Sequence, residues 1–203
     1  MQRSLLALIL FLALGCTSAT AQWHVGPEIG GVRFWGATRP LDAGSPRILP
    51  WRHTSLGLQA TLGGAGLRAR VALRKAEMSL AAEGVGIEEG GGAVLLHDAL
   101  STLAVRPSVS FPFVVLSPTV RLRGDAGILL ESWSLTGESE RRTRVGPAAG
   151  LILDVDVNRR VRLTMSGEIA VTGSPFEDFD LPEEVVRSAA WRRGVYGGVT
   201  MKL

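Results

Sequence analysis

From residue 54 onward, apolar and polar side chains alternate with a period of two. In LGLQATLG, Leu56, Leu58, Ala60 and Leu62 share one face. In LRARVALR, Leu67, Ala69, Val71 and Leu73 oppose Arg68, Arg70 and Arg74. TVRLRGDAGILLES sets Val120, Leu122, Ala126, Ile128 and Leu130 against Arg121, Arg123, Asp125 and Glu131. VRLTMSGEIAVTG sets Val161, Leu163, Met165, Ile169 and Val171 against Arg162, Thr164, Ser166, Glu168 and Thr172. The closing YGGVTMKL carries the alternation to the carboxylate, with Val199, Met201 and Leu203 around Thr200 and Lys202. Successive side chains of an extended strand point to opposite faces, so this is the strand period.

The pattern predicts eight strands, at about 23–36, 54–63, 66–82, 97–115, 119–135, 143–156, 161–173 and 191–203. Their connections alternate between long and short, beginning with the long 37–53 and the short Gly63–Gly66, and ending with the long SPFEDFDLPEEVVRSAA. A barrel with tight turns at one rim and large loops at the other has this arrangement, and a β-sandwich gives no reason for it. Four details sit less easily. Pro107, Pro112 and Pro147 fall inside strands and lack a backbone donor, so bulges or strand ends are expected there. The third strand changes phase between Leu73 and Met78, which a bulge near Arg74–Lys75, or an exit from the membrane, would explain. AVLLHDALSTLAV also has an apolar spacing compatible with a short helix. The first strand is rich in glycine.

The first residues are of another kind. Arg3 precedes the apolar run LLALILFLAL, too short to span a bilayer as a helix, and Ala19-Thr20-Ala21 offers small residues to a signal peptidase. Residues 1–21 read as a secretory signal peptide cut between Ala21 and Gln22, with 22–203 as a single barrel domain. Ala13-Leu14-Gly15-Cys16 loosely fits a lipoprotein signal, which would place a lipid on Cys16 instead. Cleavage after Ala21 removes the one cysteine, leaving packing and backbone pairing to hold an exported fold. With Arg3 gone, the 22 basic residues fall to 21 against 19 acidic ones, a near-balance that argues against nucleic acid as a partner.

Alternation alone does not say which face points inward. Export, mostly aliphatic apolar faces, and polar faces carrying both signs favour a transmembrane barrel, with its apolar face toward outer-membrane lipid. Its lumen would hold Glu28, Arg68, Arg70, Arg106, Arg121, Arg123, Asp125, Glu131, Asp154, Arg162, Glu168 and Lys202. Eight strands enclose only enough room for side chains, so ion pairs rather than an open pore are expected. Trp35, Trp51, Trp133 and Trp191 fall at the long-loop ends of strands, while Trp23, Phe111 and Phe113 fall near the short turns. Two aromatic rims suit two membrane interfaces. The expected fold is therefore an all-β, eight-stranded, antiparallel up-and-down transmembrane barrel with short periplasmic turns and long extracellular loops.

The last eight residues also resemble the C-terminal assembly signal of the small bacterial outer-membrane β-barrel family. Tyr196, Gly198, Met201 and Leu203 stand at its polar, glycine and two hydrophobic positions, with Leu203 where many such barrels end on Phe. The resemblance implies passage through the periplasm and insertion by the outer-membrane assembly machinery.

Candidate chemistry is sparse. His24, His53 and His97 have no metal-ligand spacing. His53 and Ser55 with a loop carboxylate would make a hydrolytic set only on paper. Glu88-Glu89 reads as a solvated loop, and the acidic stretch Glu177, Asp178, Asp180, Glu183, Glu184 lacks an EF-hand spacing. Phe176 immediately precedes that stretch and Phe179 lies within it. GVGIEEGGG and LGGAGL lack the strand-then-helix context of a phosphate-binding loop, and no cofactor is implied. The expected function is a closed outer-membrane barrel, structural or binding an extracellular ligand through its loops. A lipid-modifying enzyme, a narrow porin-like channel and a soluble periplasmic lipid-binding barrel are the alternatives.

Overall fold

The computed structural model describes residues 22–42, 45–84, 93–136, 141–177 and 181–203. The expected signal peptide, with Cys16 and Ala21, the pair Glu88-Glu89, and Asp178, Phe179 and Asp180 lie outside them. The strands are β1 (Gln22–Pro40), β2 (Arg47–Pro50), β3 (His53–Gly63), β4 (Arg68–Glu83), β5 (Ala93–Val115), β6 (Val120–Leu135), β7 (Arg141–Asp156), β8 (Val161–Thr172) and β9 (Val185–Lys202). Each main strand pairs antiparallel with the next, and β9 closes on β1. Short β2 runs along the far end of β4, continuing the line of β3 after a break at Trp51 and Arg52. The result is an eight-stranded antiparallel up-and-down barrel. The stretch 93–100, with its helix-like spacing, is strand, because pairing with β4 satisfies its backbone.

The C-terminus is held on both sides. Lys202 N donates to Arg160 O at 2.7 Å and Leu203 N to Trp23 O at 3.0 Å. A strand zipped to two neighbours does not fray, which is why its alternation persists to the last residue.

The barrel is inverted relative to a water-soluble one. Leu56, Ile29, Val195, Met165 and Leu151 lie exposed on the outer wall, while arginines and carboxylates are buried inside. A continuous apolar exterior of this extent needs a nonaqueous or protein partner.

The irregular positions have specific solutions. A register shift between Pro112 and Val114 places a bulge beside Pro112. The β5–β6 ladder lapses at Arg106 and Pro107 without a shift, and Pro147 sits one residue beyond the β7–β8 ladder. The phase change in β4 is not a bulge at Arg74–Lys75, where pairing with both neighbours is unbroken. The side chains exchange character instead. Arg68, Arg70 and Arg74 face inward, then Ala76 and Met78 do so on the same parity, while Lys75 and Glu77 are exposed outside. The register shift comes later, between Met78 and Leu80.

Candidate functional site

The interior has three zones along the axis. In the middle, Glu168 on β8 is the hub. It accepts from Arg74 Nη1 at 2.7 Å, Arg192 Nη2 at 3.2 Å and the Tyr196 hydroxyl at 3.1 Å. Arg74 also donates to Glu28 at 2.6 Å, and Arg70 reaches Glu28 at 3.0 Å. Arg192 pairs with Glu131, which also accepts from Thr172 at 3.1 Å, and Arg106 pairs with Asp125. Four arginines thus face four carboxylates, all buried, so the zone is neutral. That matters because an unpaired charge in such a place costs several kcal/mol.

Tyr196 organises this zone sterically. Its side chain lies where a Cβ on Gly30 or Gly194 would collide with it, and Arg74 covers the ring with its guanidinium carbon 3.5 Å from the ring centre. Glycine at both positions is what admits the ring, and the contact adds a cation–π interaction.

Toward the short-turn rim, arginines outnumber carboxylates. Arg68 pairs with Asp154, while Arg121 and Arg162 share Asp156 at 3.0 and 2.6 Å. Among the described residues Arg123 has no carboxylate ion pair, and it donates to Ser110 O at 3.0 Å and to the carbonyls of Ala65 and Gly66 in the β3–β4 turn. Arg68 Nε donates to Gly64 O at 2.7 Å. The surplus charge is thus solvated by backbone dipoles, and the turn is tied across the lower mouth. Between this zone and the middle lies a cavity of about 10 Å³ lined by Gln59, Arg70, Asp154 and Thr164, room for about one water.

Toward the long loops the interior is largely apolar, with buried Arg142 opposite Trp133 in the register. Val32, Phe34, Leu49, Met78, Leu100, Trp133 and Phe176 form a buried cap. This corrects the interface role expected for Trp133, which is 1% exposed and packs edge-on against Phe34 at 5.6 Å. Its parity on β6 matches inward-facing Glu131, and that signal was present in the sequence. Trp51 is likewise not on the outer wall rim proper; it is half-buried in the β2–β3 break and packs on the cap. Trp23, Trp35 and Trp191 do lie on the outer surface.

Of the assembly-signal positions, Tyr196 faces inward, and a Cβ on Gly198 would fall 2.5 Å from Gln59 Nε2. Met201 and Leu203 are exposed outside. All the proposed lumen charges except Arg121 and Lys202, which are half-buried at the rim, are buried. The sequence reading left out Arg192 and gave Arg74 no role in the network. The even parity that Thr200, Gly198 and Tyr196 share would have included Arg192.

The histidines assemble no catalytic set among the described residues. His53 stacks on Phe34 at 5.7 Å, its Nδ1 lies 3.3 Å from Trp51 O, and His97 is exposed. In the last long loop Glu177 bridges Arg144 and Arg187, the latter at 2.7 Å. The Arg144 hydrogen bond holds its carboxyl below the ordinary value of 4.5.

No protein-family model and no curated protein matches the sequence. Solved structures do. The outer membrane protein OprG from Pseudomonas aeruginosa aligns over 90% of this chain and 96% of its own, with a TM-score of 0.59 at 12% identity. Neisserial surface protein A aligns over 90% and 99%, with a TM-score of 0.56 at 13% identity. The N-terminal β-barrel domain of Pseudomonas aeruginosa OprF aligns over 91% and 100%, with a TM-score of 0.50 at 11% identity. The chain has the fold of the small eight-stranded outer-membrane β-barrels.

Proposed function

We propose that this chain is exported, spans the outer membrane, and is sealed to ions, serving as a structural barrel or presenting its long loops to an extracellular ligand. One observation carries this reading: an apolar outer wall surrounds an interior filled by paired charges and an apolar cap. In a bilayer the wall meets lipid and the backbone ladders close around the ring, leaving no free sheet edge. Short turns then face the periplasm and the loops face outward. The neutral middle zone and the tied turn favour a plug over a path.

The test is conductance. Purified protein in planar bilayers gives no resolvable current steps. Stable steps in the unmodified protein, altered by replacing Arg68 or Arg121, would establish the channel reading and overturn this one.

A further inference from the structure

Among the described residues, a cluster of charges on the outer wall has no ion-pair partner. On β9 and β1, Arg193 and Arg33 are directly opposed across the ladder, both exposed. The β1–β3 register runs to Val32 opposite His53, so exposed Arg52 lies level with Arg33. Three arginines therefore form one row across β9, β1 and the break between β2 and β3. No carboxylate is paired with any of them among the described residues. Elsewhere on the wall, Lys75 has Glu77 at 3.0 Å. Like charges directly opposed across a ladder destabilise it. A row kept without a counterion is complementary to an anion from outside.

What lies above and below the row gives that anion its character. Above it Trp35 stacks on Trp191 at 6.3 Å, and Arg193 lies 5.8 Å from the Trp35 ring. A hollow of about 420 Å³ opens there between the arginines and Trp51, with Glu83 at its far side opposite Arg47 in the register. Below the row the wall is recessed. Gly31 pairs with Val195, Val195 with Gly167, and Gly167 with Leu151, so two glycines floor a row otherwise aliphatic. Nothing lies within 4 Å of a Cβ placed on Gly31 or Gly167. This second hollow measures about 1060 Å³ and shares all three arginines with the first. A polar, cationic hollow joined to an apolar one matches an amphiphile of opposite charge.

We propose that Arg52, Arg33 and Arg193 bind the phosphorylated headgroup of a lipid whose acyl chain lies in the Gly31–Gly167 hollow. Guanidinium groups suit phosphate because their paired donors match its oxygens. The inference rests on the membrane reading above, and its failure is separable from the failure of that reading. Loss of the barrel from the membrane is seen by fractionation, whereas loss of this site is seen only in binding.

The probe is diphosphoryl lipid A added to protein in neutral detergent, followed by native mass spectrometry, with phosphatidylethanolamine, whose one phosphate is offset by its own ammonium, as the zwitterionic comparison. One diphosphoryl lipid A molecule stays bound in preference to phosphatidylethanolamine. The pair R33Q/R193Q weakens it about tenfold or more, equivalent to the loss of one strong contact. A Cβ at Gly31 meets nothing within 4 Å, so G31L extends into the hollow without a backbone clash, and an unchanged heat-induced gel shift reports that the barrel still folds. G31L too weakens binding about tenfold. K75Q has no effect. Inorganic pyrophosphate competes only weakly, because it lacks the chain. Equal binding by wild type, R33Q/R193Q and G31L would mean a nonspecific lipid belt and overturn the site. Full competition by pyrophosphate with no effect of G31L would leave an anion site alone and overturn the lipid assignment. A dimer abolished by G31L would show that a second copy occupies the hollow.

Discussion

Arg192 and Arg193 are consecutive residues of β9 with opposite surroundings. Arg192 is 3% exposed and donates to Glu131, Glu168 and the Tyr196 hydroxyl, the last at 2.6 Å. Arg193 stands on the outer wall beside Trp35 with another arginine opposite it. The pleat alone separates them. Inside, where water is excluded, every arginine of the middle zone is matched by a carboxylate, because burial makes the match obligatory. On the wall nothing in the chain enforces a match, so an unpaired row there survives only where water or an external anion serves it.

That difference predicts unequal responses to removing charge. The largest belongs to the hub. Glu168→Gln leaves the four middle-zone arginines facing three carboxylates, and should lower stability by about 3–5 kcal/mol, seen as a lower urea midpoint in lipid vesicles. Trp133→Ala, which empties part of the uncharged cap, should cost a similar ~3–5 kcal/mol by leaving a cavity. An unshifted midpoint for Glu168→Gln beside a large loss for Trp133→Ala would place the stability in the cap alone. Tyr196→Phe keeps the ring over Gly30 and Gly194 and deletes one buried hydroxyl, for about 1 kcal/mol in the same assay. On the wall the sign reverses. Arg33→Gln relieves the opposed pair and should leave the midpoint unchanged or raise it by about 0.2–1 kcal/mol. A large loss there would mean that Arg33 has an internal partner.

The smallest effect concerns the bridges of half-buried Glu177. The Arg144 hydrogen bond lowers this carboxyl's pKa, so its contribution is complete at neutral pH and is lost as pH falls through the lowered value, below the ordinary 4.5. Proteolysis of the last loop should therefore increase only under more acid conditions than a free glutamate would require. Glu177→Gln should abolish that dependence.

Fold and network were largely legible in the alternation. Arg68, Arg70, Asp125 and Glu168 were placed by parity against their apolar neighbours, and the loop lengths ordered the strands. What the pattern concealed was the exchange of polarity near the long loops. There the inner face becomes apolar at Ala76 and Met78 while Lys75 and Glu77 turn outward. A phase rule based on hydrophobicity reads that exchange as a bulge, and reads Trp133 as an outer rim residue. Inside and outside are set by parity along the paired strand, which does not change when the chemistry of the face does. The row of Arg52, Arg33 and Arg193 was hidden for another reason. It runs across strands distant in sequence and exists only through register.

The most direct test is to express the full chain in a Gram-negative host, fractionate the cells, and run the protein on a denaturing gel with and without boiling. A closed barrel embedded in the outer membrane should appear in that fraction and change mobility on boiling, because its ring of backbone pairing resists detergent until heated. Recovery from the soluble periplasm without detergent, with no shift on boiling, would contradict the membrane assignment and the lipid site built on it.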